Sequence, residues 1–149
     1  MVRFAIGVCC LLSLTGCLKN ASPTLTEVEL VVMINGQPLP NALVTLTPTA
    51  SGLGGAGIAS GVTDDSGLVR FTAGGKQGAA IGVNKVTIID APPSEELRGE
   101  DPEAQQKLAQ YQKRLKNRPI PAKLGNLAQS DVDLDIKAGQ KQYKLDLTR

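Results

Sequence analysis

Apolar and polar positions alternate along Glu27 to Ile34, EVELVVMI, with Val28, Leu30, Val32 and Ile34 on one side and Glu27 and Glu29 on the other. A period of two belongs to a strand with one buried face, because successive side chains of an extended chain point to opposite sides. Asn35-Gly36 follows as a strong turn signal, and Pro38 and Pro40 keep the connection extended. The next run, ALVTLTP, sets Ala42, Val44 and Leu46 on one face and Thr45 and Thr47 on the other. The two runs are therefore expected as successive strands of one sheet. Pro48 to Ser60 carries four glycines and almost no charge and reads as a flexible loop. It lacks the glycine-lysine-serine ending of a phosphate-cradling loop, and no convincing helix follows it.

Strand patterning returns in SGVTDDSGLVRFTA, where Val69, Phe71 and Ala73 are expected inward and Arg70 and Thr72 outward, with Asp64 to Gly67 turning a hairpin. After a second glycine-rich break, Val86 and Ile88 of IGVNKVTIIDA continue the inward face. Near the C-terminus Val132, Leu134 and Ile136 alternate with Asp131, Asp133 and Asp135; Ala138-Gly139 then turns the chain, and Tyr143, Leu145 and Leu147 alternate with Lys144 and Asp146. This predicts another hairpin, with Asp135 opposite Lys144 if Ile136 pairs with Tyr143. The count is about seven short strands, at the turn spacing of an all-β sandwich.

One segment follows a different period. Over DPEAQQKLAQYQKRLK, Asp101 to Lys116, Ala104, Leu108, Tyr111 and Leu115 recur at the spacing of one helix face. Asp101 suits the N-cap and Pro102 the first helical position. Glu103 precedes Lys107 by four residues in the favourable order, and Lys113, Arg114 and Lys116 sit where the helix dipole prefers cations. The narrow stripe is expected to dock on the domain's own sheet or a strand edge. Lys107, Arg114 and Arg118 form a basic face, either solvated or a candidate partner surface.

The N-terminal residues change the picture from fold to address. Arg3 supplies a positive start, and Phe4 to Leu14 is an apolar stretch of signal-peptide length, too short for a bilayer-spanning helix of about 20 residues. Leu14-Thr15-Gly16-Cys17 resembles the lipobox of bacterial lipoproteins. That resemblance implies cleavage after Gly16, a diacylglyceryl thioether on Cys17 and a further acyl chain, such as palmitate, on the freed amine. Two or more chains anchor firmly. Leu18 in place of Asp implies the outer membrane rather than retention in the inner one. The chain then divides into a signal peptide at 1–16, a lipidated tether at 17–26 and a domain at 27–149 with a helical insert at about 101–117.

All three cysteines, Cys9, Cys10 and Cys17, precede residue 18, so the body is expected to hold no disulfide, cysteine metal site or cysteine nucleophile. There is no His and no Trp. That removes the commonest general base and metal ligand and the Ser-His arrangements, leaving Asp, Glu, Lys and Tyr as catalytic candidates. The formal charge of +2 gives no net basic field for nucleic acid.

The segments NGQPLPNALVTLTP, GVTDDSGLVRFT, VNKVTI, IPAKL and DVDLDIKAGQKQYKLDL resemble, in the same order, small bacterial lipoproteins built on a carboxypeptidase-regulatory-like domain, a transthyretin-like (prealbumin-like), Ig-like β-sandwich. The resemblance covers about Glu27 to Leu147. It implies a seven-stranded Greek-key sandwich with one helix inserted between the fifth and sixth strands, and no assigned activity for most members. Members often carry an aromatic where this chain has Asn84, so that strand's inward face is expected to be shallower or polar. No peptidase module is present, and the transthyretin-like hydrolases of the purine pathway need His residues that this chain lacks.

The most site-like group is Asp131, Asp133 and Asp135, three carboxylates on one strand face at about 7 Å spacing. A calcium ion wants six to eight oxygens wrapped around it, which one straight strand does not supply, so a solvated face is the expectation and a metal site the weak alternative. Asp64 and Asp65 read first as a turn. A carbohydrate platform would need exposed aromatics, and the chain beyond Cys17 has only Phe71, Tyr111 and Tyr143. The expected function is a lipid-anchored, non-enzymatic binding or assembly module of the cell envelope, without cofactor, held by the membrane and an envelope protein partner. The alternatives are a hydrolase using carboxylate chemistry and a calcium-stabilised structural domain.

Overall fold

In the computed structural model, residues 22–51, 53–115 and 120–148 are described. The alternating runs become strands because only a pleated chain buries every second side chain while its backbone groups find partners in neighbouring strands. In chain order these are β1 (Leu25–Thr26), β2 (Glu29–Ile34), β3 (Gln37–Pro38), β4 (Ala42–Pro48), β5 (Ala59–Val62), β6 (Leu68–Arg70), β7 (Thr72–Ala73), β8 (Lys76–Gln77), β9 (Ala79–Ala80), β10 (Gly82–Asp90), β11 (Asp133–Ile136) and β12 (Gln142–Leu147). Among the described residues there is one α-helix, α1, at Pro102–Leu115 between β10 and β11, and short 3-10 turns cover Gly54–Gly57, Glu95–Arg98 and Ala122–Gly125. The described residues are thus mostly β with one helix, and their strands form several sheets, consistent with an all-β sandwich.

The large sheet has the order β11-β10-β4-β5-β7-β8 and the small one β12-β2-β3, with β6 also on β2; β1 and β9 make a two-stranded pair. The pairs are antiparallel except β12, which runs parallel to β2 with Tyr143 beside Leu30 and Leu145 beside Val32. Inward residues from both sheets meet in one cluster that includes Leu30, Val32, Val44, Leu46, Phe71, Val86, Ile88 and Ile136. Full burial of such a side chain stabilises by about 1.5–3 kcal/mol. The inward faces expected for β2, β4, Val69 to Ala73 and β10 are the buried ones.

Which strands pair differs from the sequence reading in three places. The runs at 27–34 and 42–48 lie in different sheets. Asn35 (φ 50°) and Gly36 (φ 77°) close a hairpin between β2 and the two residues of β3, and the chain then crosses to the other layer through buried Leu39 and the left-handed Asn41. The second hairpin is also split, because β5 joins β4 and β7 while β6 joins β2. Gly61 makes this close crossing possible: a Cβ there would stand 2.1 Å from the Arg70 carbonyl oxygen and 2.6 Å from Val69.

The third correction concerns the C-terminal hairpin. β11 pairs with β10 in the large sheet, whereas β12 crosses to the small sheet. Asp135 therefore lies opposite Val83, and Lys144 beside Val31, not opposite each other. The Tyr143 hydroxyl accepts a hydrogen bond from the Lys137 backbone N–H at 2.8 Å, tying the crossover turn to the strand that leaves it.

Two segments read as irregular are partly ordered into strands. Of the expected tether, 22–26 is described, and Leu25 and Thr26 pair with Ala80 and Ala79. The second glycine-rich break holds β8 and β9. The signal peptide at 1–16, Cys17, and Arg118 lie outside the described residues.

The helix forms as its sequence predicts. Asp101 caps it, its carboxylate accepting the Ala104 N–H at 2.8 Å, and Glu103 pairs with Lys107 at 2.7 Å. Ala104, Leu108, Tyr111 and Leu115 are the residues of α1 that are not exposed. Ala104 packs over the turn before the helix, and the Tyr111 hydroxyl donates to the Ala91 carbonyl just after β10, so the stripe docks on the domain itself.

Candidate functional site

Strand alternation that buries Val28 turns Glu27 and Glu29 away from the core. The crossover turn ends at Lys141, whose backbone carbonyl accepts from the Glu29 N–H at 2.7 Å and whose ammonium reaches the Glu27 carboxylate at 2.9 Å. β6 runs antiparallel on β2 with Arg70 opposite Glu29, and the guanidinium donates twice to one carboxylate oxygen, from Nε at 2.9 Å and Nη2 at 2.8 Å. Two acid–base pairs thus flank one end of the small sheet. Between them and the β8 corner opens a cleft of about 640 Å³. Val28 and Phe71, both almost wholly buried, lie beneath it, and its remaining polar groups come from Thr72 and the amides of Gln77, Gln140 and Gln142. The volume is that of a small-molecule site.

Electrostatics keep the rim charged. Hydrogen bonding and attraction from Lys141 hold the Glu27 carboxyl below the usual glutamate range, and the same contact with Glu27 pushes Lys141 above the usual lysine value. Both side chains are more than half exposed, so water competes for each and the pair is held weakly. A ligand with a cationic and an anionic group can exchange with them at little cost. Sequence reading passed over this site because Glu27 and Glu29 appear only as the polar half of an alternating strand. The parallel pairing of β12 with β2, which brings Lys141 in from 114 residues away, has no local signal.

The residues singled out from sequence fall elsewhere. Asp131, Asp133 and Asp135 lie on the exposed, outer side of the large sheet's edge. Asp131 binds Lys123 at 2.7 Å, which holds its carboxyl below the usual range, and Asp133 binds Lys85 at 2.9 Å. Among the described residues no group of three or more acidic side chains is arranged to hold a metal ion. Asp64 serves its turn: one carboxylate oxygen accepts from the Ser66 hydroxyl at 2.6 Å, the Ser66 N–H at 2.9 Å and the Leu68 N–H at 3.0 Å, and these bonds lower its pKa.

Of the basic helix face, Lys107 is engaged by Glu103, and Arg114 borders a groove of about 510 Å³ with Tyr111, Leu39 and Asp65. Asn84 is buried, as the polar inward face predicted for it requires. Its Nδ2 donates to the carbonyls of Ala80 at 2.9 Å and Gly82 at 2.8 Å, pinning the corner between β9 and β10. Its Oδ1 is the one buried side-chain polar atom without a hydrogen-bond partner among the described residues. Compared with family models, with curated proteins and with solved structures, the chain matches none.

Proposed function

We propose that the protein is a lipid-anchored, non-enzymatic binding module of the cell envelope. Its cleft between the Glu27–Lys141 and Glu29–Arg70 pairs takes a small ligand or a partner's side chains bearing both signs of charge. The carrying observation is the cleft itself: a Glu27–Lys141 pair exposed enough to exchange partners and a Glu29–Arg70 pair with an exposed guanidinium, together on the rim of one cavity lined also by side-chain amides. The carboxyls held low, Glu27, Asp64, Glu103 and Asp131, are ionised at neutral pH, which suits ion pairing. A general acid needs a carboxyl raised towards the working pH.

The seven-stranded Greek-key sandwich of the prealbumin-like kind belongs to the same proposal. Setting aside the two-residue strands leaves seven, β2, β4, β5, β6, β10, β11 and β12, with α1 between the fifth and sixth of them. The lipid anchor rests on the lipobox-like Leu14-Thr15-Gly16-Cys17. Outer-membrane placement rests on Leu18.

Two measurements test the reading. Mass spectrometry of protein from cells should find an N-terminus at Cys17 with acyl mass in the outer-membrane fraction; an unacylated mature N-terminus ends the anchor. Immobilised protein should capture a defined envelope component that the Arg70→Glu, Lys141→Glu double variant does not. Equal capture by both removes the cleft from the proposal.

A further inference from the structure

Six large apolar side chains stand exposed among the described residues, in two groups. Val62 and Ile89 flank Leu43 in one cross-strand row of the large sheet, and Leu127 follows the Ala122–Gly125 turn, whose Gly125 abuts Ile89. Ile58, Ile81 and Val83 sit at the other end of the same strands, Ile58 leading into β5 and the other two flanking Gly82 at the start of β10. A Cβ on Gly57 would lie 3.6 Å from the Cβ atoms of both Ala80 and Pro23, and the Ile81 N–H donates to the Thr24 carbonyl at 3.0 Å. The chain therefore enters the domain at the point where the segments carrying Ile58 and Ile81 meet.

We infer that this end rests on the lipid bilayer, with Ile58, Ile81 and Val83 entering the interface between headgroups and acyl chains. The inference rests on the lipid-anchor reading above. From Cys17 to Pro23 is six residue steps, a reach of at most about 20 Å even fully extended. The end that receives the chain is held against the membrane surface at an effective concentration in the millimolar range, so contacts too weak to recruit a free protein become occupied. Apolar side chains gain by entering the interface, and three of the six exposed ones lie at this end. The second group is six residues further along β10 at Ile89, about 20 Å away, beyond the depth that a resting domain reaches.

The test uses full-length protein acylated in cells, with one thiol added at either end by Ile81→Cys or Val62→Cys and labelled with an environment-sensitive fluorophore. In phosphatidylcholine vesicles the label at 81 should be blue-shifted and several-fold less quenched by aqueous iodide than the label at 62. Adding Ile58→Ser and Val83→Ser should return quenching at 81 to the level at 62 while the domain still unfolds in one cooperative transition. Equal quenching at both positions, or greater shielding at 62, overturns the inference. Shielding at 81 that is lost on diluting the protein at fixed lipid reports a second copy and also overturns it. Acyl mass with an exposed label sinks only the docking face, whereas a chain without acyl mass sinks the anchor and the docking face together.

Discussion

Replacing Asn84 by Asp changes one buried donor into an acceptor without changing shape. Asn84 is fully buried and gives its two N–H groups to the Ala80 and Gly82 carbonyls at 2.9 and 2.8 Å. The introduced carboxylate would face both oxygens with no proton to offer, and the cation at this edge, Lys85, is already engaged by Asp133. An uncompensated buried charge costs about 3–5 kcal/mol, equivalent to raising the folded pKa of that carboxyl by about 2–4 units above its unfolded value near 3.9. The sign follows from linkage. Below about pH 3.9 the carboxyl is neutral in both states and the electrostatic penalty is absent. It grows as the pH rises, by about 1.4 kcal/mol per unit, and levels off at the folded pKa.

Urea unfolding followed by far-ultraviolet circular dichroism, with the unsubstituted protein measured at each pH as reference, reads this directly. At a slope of about 1.5–2 kcal/mol per molar, the Asn84→Asp midpoint should fall by about 2 M at pH 7 and by much less at pH 4. Asn84→Ala removes both donors without adding charge and should lose about 1–3 kcal/mol at either pH. If Asn84→Asp is as stable as the unsubstituted protein at pH 7, or loses the same amount at pH 4 and pH 7, the reasoning about this buried amide is wrong.

Three further outcomes are expected. Leu108→Asp, on the half-buried stripe of α1, should destabilise by about 1–2 kcal/mol in the same urea assay, less than a core residue would; an unchanged curve would mean that the stripe is not docked. Millimolar calcium or chelator should leave the melting temperature unmoved, because Asp131 and Asp133 are held by Lys123 and Lys85; a rise of several degrees would overturn that. Stability should be flat from about pH 5 to pH 9, since there is no His and the carboxyls held low lose their contribution only as the pH falls through their folded pKa values, below those of free carboxyls, while Lys107 and Lys141 lose theirs only above about pH 10. A titration step near pH 6.5 in the melting temperature would contradict it.

Burial, turn positions and the helix were legible along the chain. Val28 to Ile34, Ala42 to Leu46 and Val86 to Ile88 carry their inward faces in a period of two, and Asp101 to Leu115 carries its cap, ion pair and stripe in a period near 3.6. These are local properties: a side chain's direction relative to its neighbours follows from backbone geometry, whatever lies beyond. Sheet membership was not legible. The Asn35-Gly36, Asp64–Gly67 and Ala138-Gly139 turns were each located, yet at all three the chain goes on to change layers rather than fold back along the full preceding strand.

The reason is that a turn specifies a reversal over a few residues, whereas pairing is chosen by the free energy of closing the whole core. β12 buries Tyr143, Leu145 and Leu147 against Leu30, Val32 and Ile34 across more than a hundred residues of sequence, and antiparallel pairing with β11 would have left the small sheet without that cover. The candidate site follows from the same choice. By itself the sequence determined the alternation, the turns, the capped helix and a body without thiol or imidazole. Only the tertiary structure, by setting β12 parallel to β2 and β6 on its other side, brought Lys141 to Glu27 and Arg70 to Glu29 and opened the cleft between them.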